Sequence, residues 1–237
     1  MADGYIRSGS ADIHYEIYEK KEAPVLVLIH GNGGKAGDFK HQVEFFKDRY
    51  TLLVPDSRGH GQSSFGRDDL SLGKIVIDLE NILKTLEYDK VNILGFSDGA
   101  NIAMLFAIKN PDMVDRLILV GGNYKFSGLT FSAGALIYLG YISHCLAAKF
   151  SSAAKLEKEV YALMVNEPKL ERQALTNIKA KTLVVNGKKD MIKVSHAKDI
   201  ASAIPNATLS LNEGDHFYLF KEHEEFNKRV LAFLEEE

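Results

Sequence analysis

The sequence of 237 residues contains a single cysteine, Cys145. An intramolecular disulfide is therefore excluded, and the cysteine content gives no reason to expect an oxidising compartment. The first seven residues also lack the apolar core that a signal peptide requires. From these two absences we expect a cytoplasmic protein.

Charge of one sign is not concentrated in the chain either. The 29 Lys and Arg residues stand against 32 Asp and Glu residues, which gives a formal net charge of -3. Nucleic-acid binding requires a concentrated basic face, so we expect no nucleic-acid partner. The sequence also shows no cluster of metal ligands and no phosphate-binding glycine loop, so we expect neither a metal nor a cofactor.

Long uncharged segments are rare, with one exception. Residues 126–148 include no Asp, Glu, Lys or Arg, and a segment of that length could span a bilayer. Small and polar residues interrupt it, among them Ser127, Gly134 and His144, and no second segment of that kind exists. We therefore expect no membrane span, and we look for another role for this segment.

Short apolar runs alternate along the chain with segments of helical periodicity. Residues 12–19 alternate apolar and polar, which predicts a half-buried strand paired with residues 5–7. Continuously apolar runs predict strands that are buried on both faces. These runs are residues 25–29, 51–54, 91–94, 117–120 and 182–185, with a weaker one at 207–211. The helical segments are residues 38–48, 72–86, 98–109, 194–203 and 217–234.

Strands that alternate with helices predict an α/β fold with a mostly parallel eight-stranded sheet and helices on both faces. About sixty residues follow the sixth strand, far more than a plain crossover needs. We expect residues 123–177 to form a helical cap or lid inserted there, and residues 1–122 and 178–237 to form the core.

The apolar residues of this insertion could not all bury against a sheet that already has its helices. We expect some of them to face an apolar substrate; the alternative is that they form a homodimer interface. These residues are Phe126, Leu129, Phe131, Leu136, Ile137, Tyr138, Leu139, Tyr141 and Ile142.

Polar and glycine-rich turns follow the predicted parallel strands. Ligands bind beyond the carboxyl ends of such strands, so these turns are expected to meet around one site. They are His30-Gly31-Asn32-Gly33-Gly34, Asp56-Ser57-Arg58-Gly59-His60-Gly61-Gln62-Ser63, Gly95-Phe96-Ser97-Asp98-Gly99, Asn186-Gly187-Lys188-Lys189-Asp190 and Glu213-Gly214-Asp215-His216.

In these turns the chain resembles the α/β-hydrolase fold superfamily, and the resemblance extends over nearly its whole length. Residues 95–99 match the G-x-S-x-G nucleophile elbow between a strand and a helix. The order Ser97, Asp190, His216 matches the family order of nucleophile, acid and base. Residues 30–32 resemble the family's oxyanion loop, and residues 56–63 resemble its D-x-R-G-x-G-x-S loop.

The resemblance implies a catalytic role for Ser97, Asp190 and His216. His216 would take the proton of the Ser97 hydroxyl, and Asp190 would fix the imidazole tautomer and stabilise the imidazolium. The backbone N–H groups of Asn32 and Asp98 would bind the developing oxyanion. Loop support rather than chemistry is expected of His30, Gly31, Gly33, Asp56 and Arg58.

Structural roles compete with these assignments. Ser97 could be a turn residue, and Asp190 could cap the helix that starts near Val194. Asp215 is the nearest rival acid, although a sequence neighbour of His216 is poorly placed to reach its ring. We expect the remaining histidines mostly at surface or loop positions. They are His14, His41, His60, His144, His196 and His223.

The expected function is hydrolysis of an ester of a small or medium apolar acid through an acyl-enzyme on Ser97. The same residue set would also serve a C–C bond hydrolase, thioesterase, lactonase, amidase or perhydrolase. A haloalkane dehalogenase is disfavoured, because relatives of that type carry Asp at the position of Ser97. A ligand-binding or receptor-like homologue with little turnover stays open as a different class.

Overall fold

The computed structural model describes residues 1–67 and 70–236, without the side chains of residues 152 and 153. Eight strands form one sheet in the order β1-β2-β4-β3-β5-β6-β7-β8. The strands are β1 (Ala2–Ser8), β2 (Ala11–Tyr18), β3 (Val25–Ile29), β4 (Thr51–Pro55), β5 (Val91–Phe96), β6 (Val114–Val120), β7 (Lys181–Gly187) and β8 (Ala207–Asn212).

The sheet is mostly parallel, as the sequence predicts. Only β2 runs against its neighbours, pairing antiparallel with β1 and with β4. From β4 through β8 every pairing is parallel. The carboxyl ends of these parallel strands therefore lie along one edge of the sheet, where the polar turns begin.

Helices connect the strands. They are α1 (Lys40–Phe46), α2 (Leu72–Thr85), α3 (Asp98–Lys109), α4 (Phe131–Ala147), α5 (Ser152–Asn166), α6 (Val194–Ala203), α7 (Tyr218–Lys221) and α8 (His223–Leu234). Short 3-10 turns lie at Ala36–Phe39, Phe126–Gly128 and Arg172–Asn177.

Two predicted helices are divided in the structure. The segment 38–48 starts within a 3-10 turn before α1, and the segment 217–234 is interrupted at Glu222, whose ψ of 43° departs from helical values. The interruption allows both parts of the second segment to pack on the same apolar cluster, since Leu219 of α7 and Phe226 of α8 are both fully buried.

Apolar clusters cover the two faces of the sheet, which explains the continuously apolar strands. Along β3, Val27 and Ile29 belong to the cluster that includes α2, α3 and α6. Leu26 and Leu28 belong to the cluster that includes α1 and α8. Because successive side chains of a strand point to opposite faces, a strand between two helical layers has no polar face.

The segment between β6 and β7 contains α4 and α5, which pack against each other. At their contact, the rings of His144 and Tyr161 stack with centroids 4.8 Å apart. Gly140 lies under the same tyrosine, where a Cβ atom would come within 2.4 Å of the ring. Within the described residues, no helix has both the length and the hydrophobicity needed to cross a bilayer.

Candidate active site

Ser97 occupies a sharp turn between β5 and α3. Its φ of 55° and ψ of -121° lie in a region that non-glycine residues rarely adopt. The turn is held by a hydrogen bond of 2.8 Å from the Ser97 N–H to the Val120 carbonyl. It also depends on Gly99, where a Cβ atom would lie 2.1 Å from the Ile29 carbonyl oxygen. A strained residue that its neighbours hold in place is typical of functional sites.

His216 lies between Ser97 and Asp190. Its Nδ1 is 2.7 Å from Asp190 Oδ1, and its Nε2 is 2.9 Å from Ser97 Oγ. A carboxylate only accepts hydrogen bonds, so Nδ1 carries the proton and Nε2 can accept the serine hydroxyl proton. Asp190 also accepts a hydrogen bond of 2.9 Å from the Ile192 N–H. Both Asp190 and His216 are buried.

The rival roles for the acid are not seen in the structure. The N-cap residue of α6 is Lys193, and the α6 N-terminus has no side-chain cap, so Asp190 does not cap that helix. Asp215 is bonded instead to Lys221 and to the Phe217 N–H.

Gly121 is a residue of this site that sequence reasoning missed. It has a φ of 60°, and a Cβ atom there would lie 2.9 Å from the His216 ring. Its position directly after β6, next to the turn that holds Ser97, is the signal that could have identified it.

The predicted oxyanion loop lies against the elbow. The Asn32 side chain donates hydrogen bonds from Nδ2 to Asp98 Oδ2 at 2.8 Å and to the Val160 carbonyl of α5 at 2.9 Å. Gly31 faces Ser97 so closely that a Cβ atom would be 2.9 Å from the serine Cβ, and Gly33 has a φ of 71°. In the described part of the chain, the backbone N–H groups of Asn32 and Asp98 have no protein acceptor.

The Asp98 carboxylate is buried within a network of amides. Besides Asn32, it accepts a hydrogen bond of 2.9 Å from Asn101 Nδ2, and Asn101 Oδ1 accepts one of 2.7 Å from the Asn123 N–H. Burial raises the pKa of Asp98 above its ordinary value. Sequence analysis did not identify Asn101; its only signal is a polar residue in a helix whose other polar residues, Asp98 and Lys109, lie at its ends.

The His30 ring contacts two of the turns. Its Nδ1 lies 2.7 Å from the Gly31 carbonyl, and its Nε2 accepts a hydrogen bond of 2.9 Å from the Ser57 N–H. Burial lowers the pKa of His30 to about 4. The ring is therefore neutral near pH 7, which agrees with one donating and one accepting nitrogen.

Asp56 holds three segments together. Its carboxylate accepts hydrogen bonds from the Ala36 N–H at 2.7 Å, from the Gln62 N–H at 2.8 Å and from His14 Nδ1 at 2.9 Å. These contacts connect its own loop to the segment after the oxyanion loop and to β2. The bracing role expected of Asp56 is consistent with this arrangement.

Arg58 is anchored away from the reacting groups. It forms a buried two-point ion pair with Asp78 of α2, at 2.9 Å from Nε and 2.5 Å from Nη2. Its Nη2 also donates to the Ser8 carbonyl of β1 at 3.1 Å. Sequence reasoning assigned Arg58 to this loop but did not identify Asp78 as its partner.

The expectation of surface or loop positions was wrong for two of the remaining histidines and incomplete for a third. His14 is fully buried in β2, and His196 is buried in α6, while His60 lies in a loop that is itself buried. His60 Nδ1 lies 3.0 Å from the Arg58 carbonyl, and His196 Nε2 accepts from the Tyr124 N–H at 3.3 Å. Packing of the turns against one another buries rings that a linear sequence presents as polar.

An open groove of about 470 Å³ borders His216 and Asp190. Its other lining residues are Thr130, Ser132, Ala133, Leu136, Lys189, Met191, Asp215 and Phe217. Of the apolar insertion residues expected near a substrate, Leu136 is the one that lines this groove. A small cavity of about 10 Å³, lined in part by Asn32 and Asp98, has room for one water molecule. No group of three or more potential metal ligands occurs among the described residues.

Comparisons with known proteins agree with this architecture. The family model described as alpha/beta hydrolase fold matches residues 24–141. The chain is 35% identical over 118 residues to the (E)-2-((N-methylformamido)methylene)succinate hydrolase of Acinetobacter baylyi, covering 50% of this chain and 44% of that protein. Serine hydrolase BPHL of Mus musculus is 26% identical, over 94% of this chain and 83% of the mouse protein.

The first curated relatives that match, proteins of mycobacteria, are 36% identical, and the chain spans about a third of their length. Among solved structures, the enol-lactonase from Burkholderia xenovorans superposes with a TM-score of 0.81 at 21% identity, over 98% of this chain and all of that one. Fold, family model and relatives lead to one conclusion: this chain belongs to the α/β-hydrolase fold family.

Proposed function

We propose that this protein is a serine hydrolase that cleaves a small or medium-chain carboxylic ester through an acyl-enzyme on Ser97. The observation that carries the proposal is the continuous line of hydrogen-bonding groups from Asp190 Oδ1 through His216 to Ser97 Oγ, with contacts of 2.7 and 2.9 Å. A serine, a base and a third group that orients the base form the arrangement that activates a hydroxyl nucleophile.

In the proposed reaction Ser97 Oγ attacks the ester carbonyl while His216 Nε2 takes its proton. Asp190 keeps the proton on Nδ1 and stabilises the imidazolium that forms. His216 then gives its proton to the leaving alcohol, which departs and leaves an acyl group on Ser97. A water molecule, deprotonated by His216, attacks the acyl carbon, and the carboxylic acid is released as Ser97 regains its proton.

The negative charge that develops on the carbonyl oxygen requires hydrogen-bond donors. We assign this role to the backbone N–H groups of Asn32 and Asp98, which flank Ser97 and have no acceptor among the described residues. Fixed donors of this kind contribute on the order of 10²–10³ each to the rate. The Asn32–Asp98 side-chain bond of 2.8 Å supports the assignment, since it holds the two residues together.

The groove beside His216 is the proposed substrate site. It presents Leu136, Met191 and Phe217 to an apolar acyl or alkyl group, and it is of a size that suits a small molecule. Residues 123–177 are the proposed cap, because α4 supplies Leu136 to the groove and the Val160 carbonyl of α5 binds the oxyanion loop through Asn32.

The test is hydrolysis of a p-nitrophenyl ester series, from acetate to a long acyl chain, by the wild type and by Ser97→Ala. We expect turnover of short or medium esters that the substitution removes, with a loss in kcat on the order of 10⁶. Retention of wild-type kinetics by Ser97→Ala would show that another group is the nucleophile.

The second candidate is hydrolysis of a related substrate that is not a simple ester, because the names of similar proteins describe different substrates. The names of two similar proteins describe a hydrolase of a formamido-substituted succinate and an enol-lactonase. Assays with lactones, thioesters, amides and C–C substrates, compared by kcat/KM, would distinguish these from an esterase. A folded wild type that binds such ligands without turning any of them over would instead support a receptor-like role.

A further inference from the structure

The outer face of α4 is apolar and uncovered. The helix contains no Asp, Glu, Lys or Arg, and only Gly134 among its residues is buried. Its exposed large apolar side chains are between 41% and 91% accessible. They are Phe131, Leu136, Tyr138, Leu139, Ile142 and Leu146.

Most of these residues form one stripe along the helix, here called the α4 stripe: Phe131, Tyr138, Leu139, Ile142 and Leu146. Their spacing places them on one side of a helix with 3.6 residues per turn. The opposite side carries Gly140 and His144, which meet Tyr161 of α5. Packing within the chain therefore uses one side of α4 and leaves the α4 stripe uncovered by the described residues.

The exposed area is large enough for a stable interface. Phe150, 91% accessible just after α4, extends the apolar surface. With roughly 150–250 Å² for an aromatic side chain and somewhat less for an aliphatic one, the exposed fractions of the α4 stripe and Phe150 amount to about 700 Å². The largest apolar patch on a typical monomer is about 300–600 Å². A standard protein–protein interface buries about 800 Å² on each partner.

The absence of charge decides which occupant fits. Helices that bind lipid surfaces carry Lys or Arg along their polar face, and α4 has neither. A partner of opposite charge would find nothing on α4 to pair with. A second α4 stripe, in contrast, matches the first in both length and polarity, as a two-fold interface requires.

We propose that the α4 stripe binds the α4 stripe of a second copy of this chain, with the two helices antiparallel about a two-fold axis near Leu139. Leu139 lies near the middle of the stripe. Phe131 lies about 12 Å from it, at 1.5 Å per residue, and meets Leu146 of the second copy. None of the α4 stripe residues belongs to the proposed catalytic groups, so the proposal is independent of the proposed function.

The first test compares two matched substitutions by sedimentation velocity over the micromolar range. Ile142→Glu places a charge in the α4 stripe, whereas Ile77→Glu changes an equally exposed isoleucine on α2; their accessibilities are 41% and 45%. We expect a wild-type dimer, an increase of at least about 30-fold in the dimer dissociation constant for Ile142→Glu, and no change for Ile77→Glu. Circular dichroism and thermal melting check that each variant is folded.

The second test addresses the antiparallel arrangement. In a Cys145→Ala background, Leu139→Cys is expected to form a disulfide with its own copy under mild oxidation, because residues beside a two-fold axis face themselves. Phe131→Cys, about 24 Å from its equivalent in this arrangement, is expected to stay unlinked. Linking of Phe131→Cys but not of Leu139→Cys would overturn the antiparallel arrangement.

Two results would overturn the proposal as a whole. One is a wild type that sediments as a monomer at every concentration, including when ester hydrolysis is normal. The other is a dimer that Ile142→Glu leaves unchanged. Co-sedimentation of a monomeric wild type with vesicles of phosphatidylglycerol and phosphatidylcholine, lost in Ile142→Glu, would assign the α4 stripe to a lipid surface instead.

Discussion

At the carboxyl edge of the sheet, Asp190, His216, His30 and Asp98 are all buried, whereas on α4 only Gly134 is buried. The polar groups at the edge have defined partners at 2.7–2.9 Å, while the apolar groups on α4 face outward. The comparison teaches that burial in this chain follows position relative to the sheet rather than the hydrophobicity of the segment. Substitutions at the edge are therefore expected to have much larger effects than substitutions of exposed residues on α4 and α5.

The largest effect is expected for the acid that contacts His216. Asp190→Asn keeps the shape of the side chain but no longer stabilises the imidazolium or enforces the tautomer. We expect a decrease in kcat of about 10⁴ for an activated ester. Asp112→Asn is the control, because that exposed carboxylate pairs with Lys179 and does not line the groove; its activity should change less than threefold. Equal losses in both variants would contradict the role given to Asp190.

A smaller effect, on stability, is expected at the buried ion pair behind the site. Asp78→Asn leaves the Arg58 guanidinium buried without its counter-charge, and such losses cost about 3–5 kcal/mol. The exposed pair of Arg7 and Asp12 should contribute at most about 1 kcal/mol, so Asp12→Asn is the control. Urea denaturation measures both free energies of unfolding, and similar values for the two variants would be inconsistent with the burial of Arg58.

The buried histidines make stability depend on pH. His30 and His196 have pKa values lowered to about 4 by burial, below the ordinary value of 6.5. Between pH 6.5 and about 4 these histidines bind protons in the unfolded chain but not in the folded chain. The stability that the two neutral rings contribute is therefore complete above pH 6.5 and is lost as the pH falls to about 4. Asp98, with its raised pKa, acts in the opposite direction.

For His30 this loss is about 3 kcal/mol. Urea midpoints across this range should decrease as the pH falls, and the decrease should be smaller in His30→Asn than in the wild type. An unchanged slope in that variant, once its folding has been verified by circular dichroism, would show that His30 does not carry the effect.

The smallest effect is expected on α5. Leu156 is 49% accessible, so Leu156→Ser should change the free energy of unfolding by no more than about 0.5 kcal/mol. Leu163 of the same helix is buried, and Leu163→Ala should cost about 2–5 kcal/mol if α5 unfolds together with the core. A small cost for both would instead show that α5 unfolds separately, which would sharpen the contrast between the sheet and the inserted helices.

The sequence was sufficient to predict the elements that depend on local pattern. The apolar runs predicted β3 through β7 because strands between two helical layers have no polar face, and a weaker run predicted β8 at the edge. Ser97, Asp190 and His216 could be found because each follows a strand end in a recognised order. The structure brings these three side chains together, and it places Asn32 and Asp98 beside Ser97.

What the sequence could not provide is long-range pairing. Arg58 pairs with Asp78, and Asn101 accepts a hydrogen bond from the Asn123 N–H, across turns of helix and loops that no local pattern connects. The burial of His14 depends on Asp56, which lies in a different segment. Hydrophobicity alone also could not show that Leu139 and Ile142 face outward. A helix that is apolar on all sides has no polar face to indicate which side packs against the rest of the chain.

The most direct test of the central claim is covalent labelling with a fluorophosphonate, followed by mass spectrometry of the peptides. If His216 and Asp190 activate Ser97, the wild type should gain one adduct on the peptide that contains Ser97. Ser97→Ala should gain none, and labelling should be strongly slowed in Asp190→Asn. A folded wild type that remains unlabelled, or that is labelled at another residue, would contradict the account.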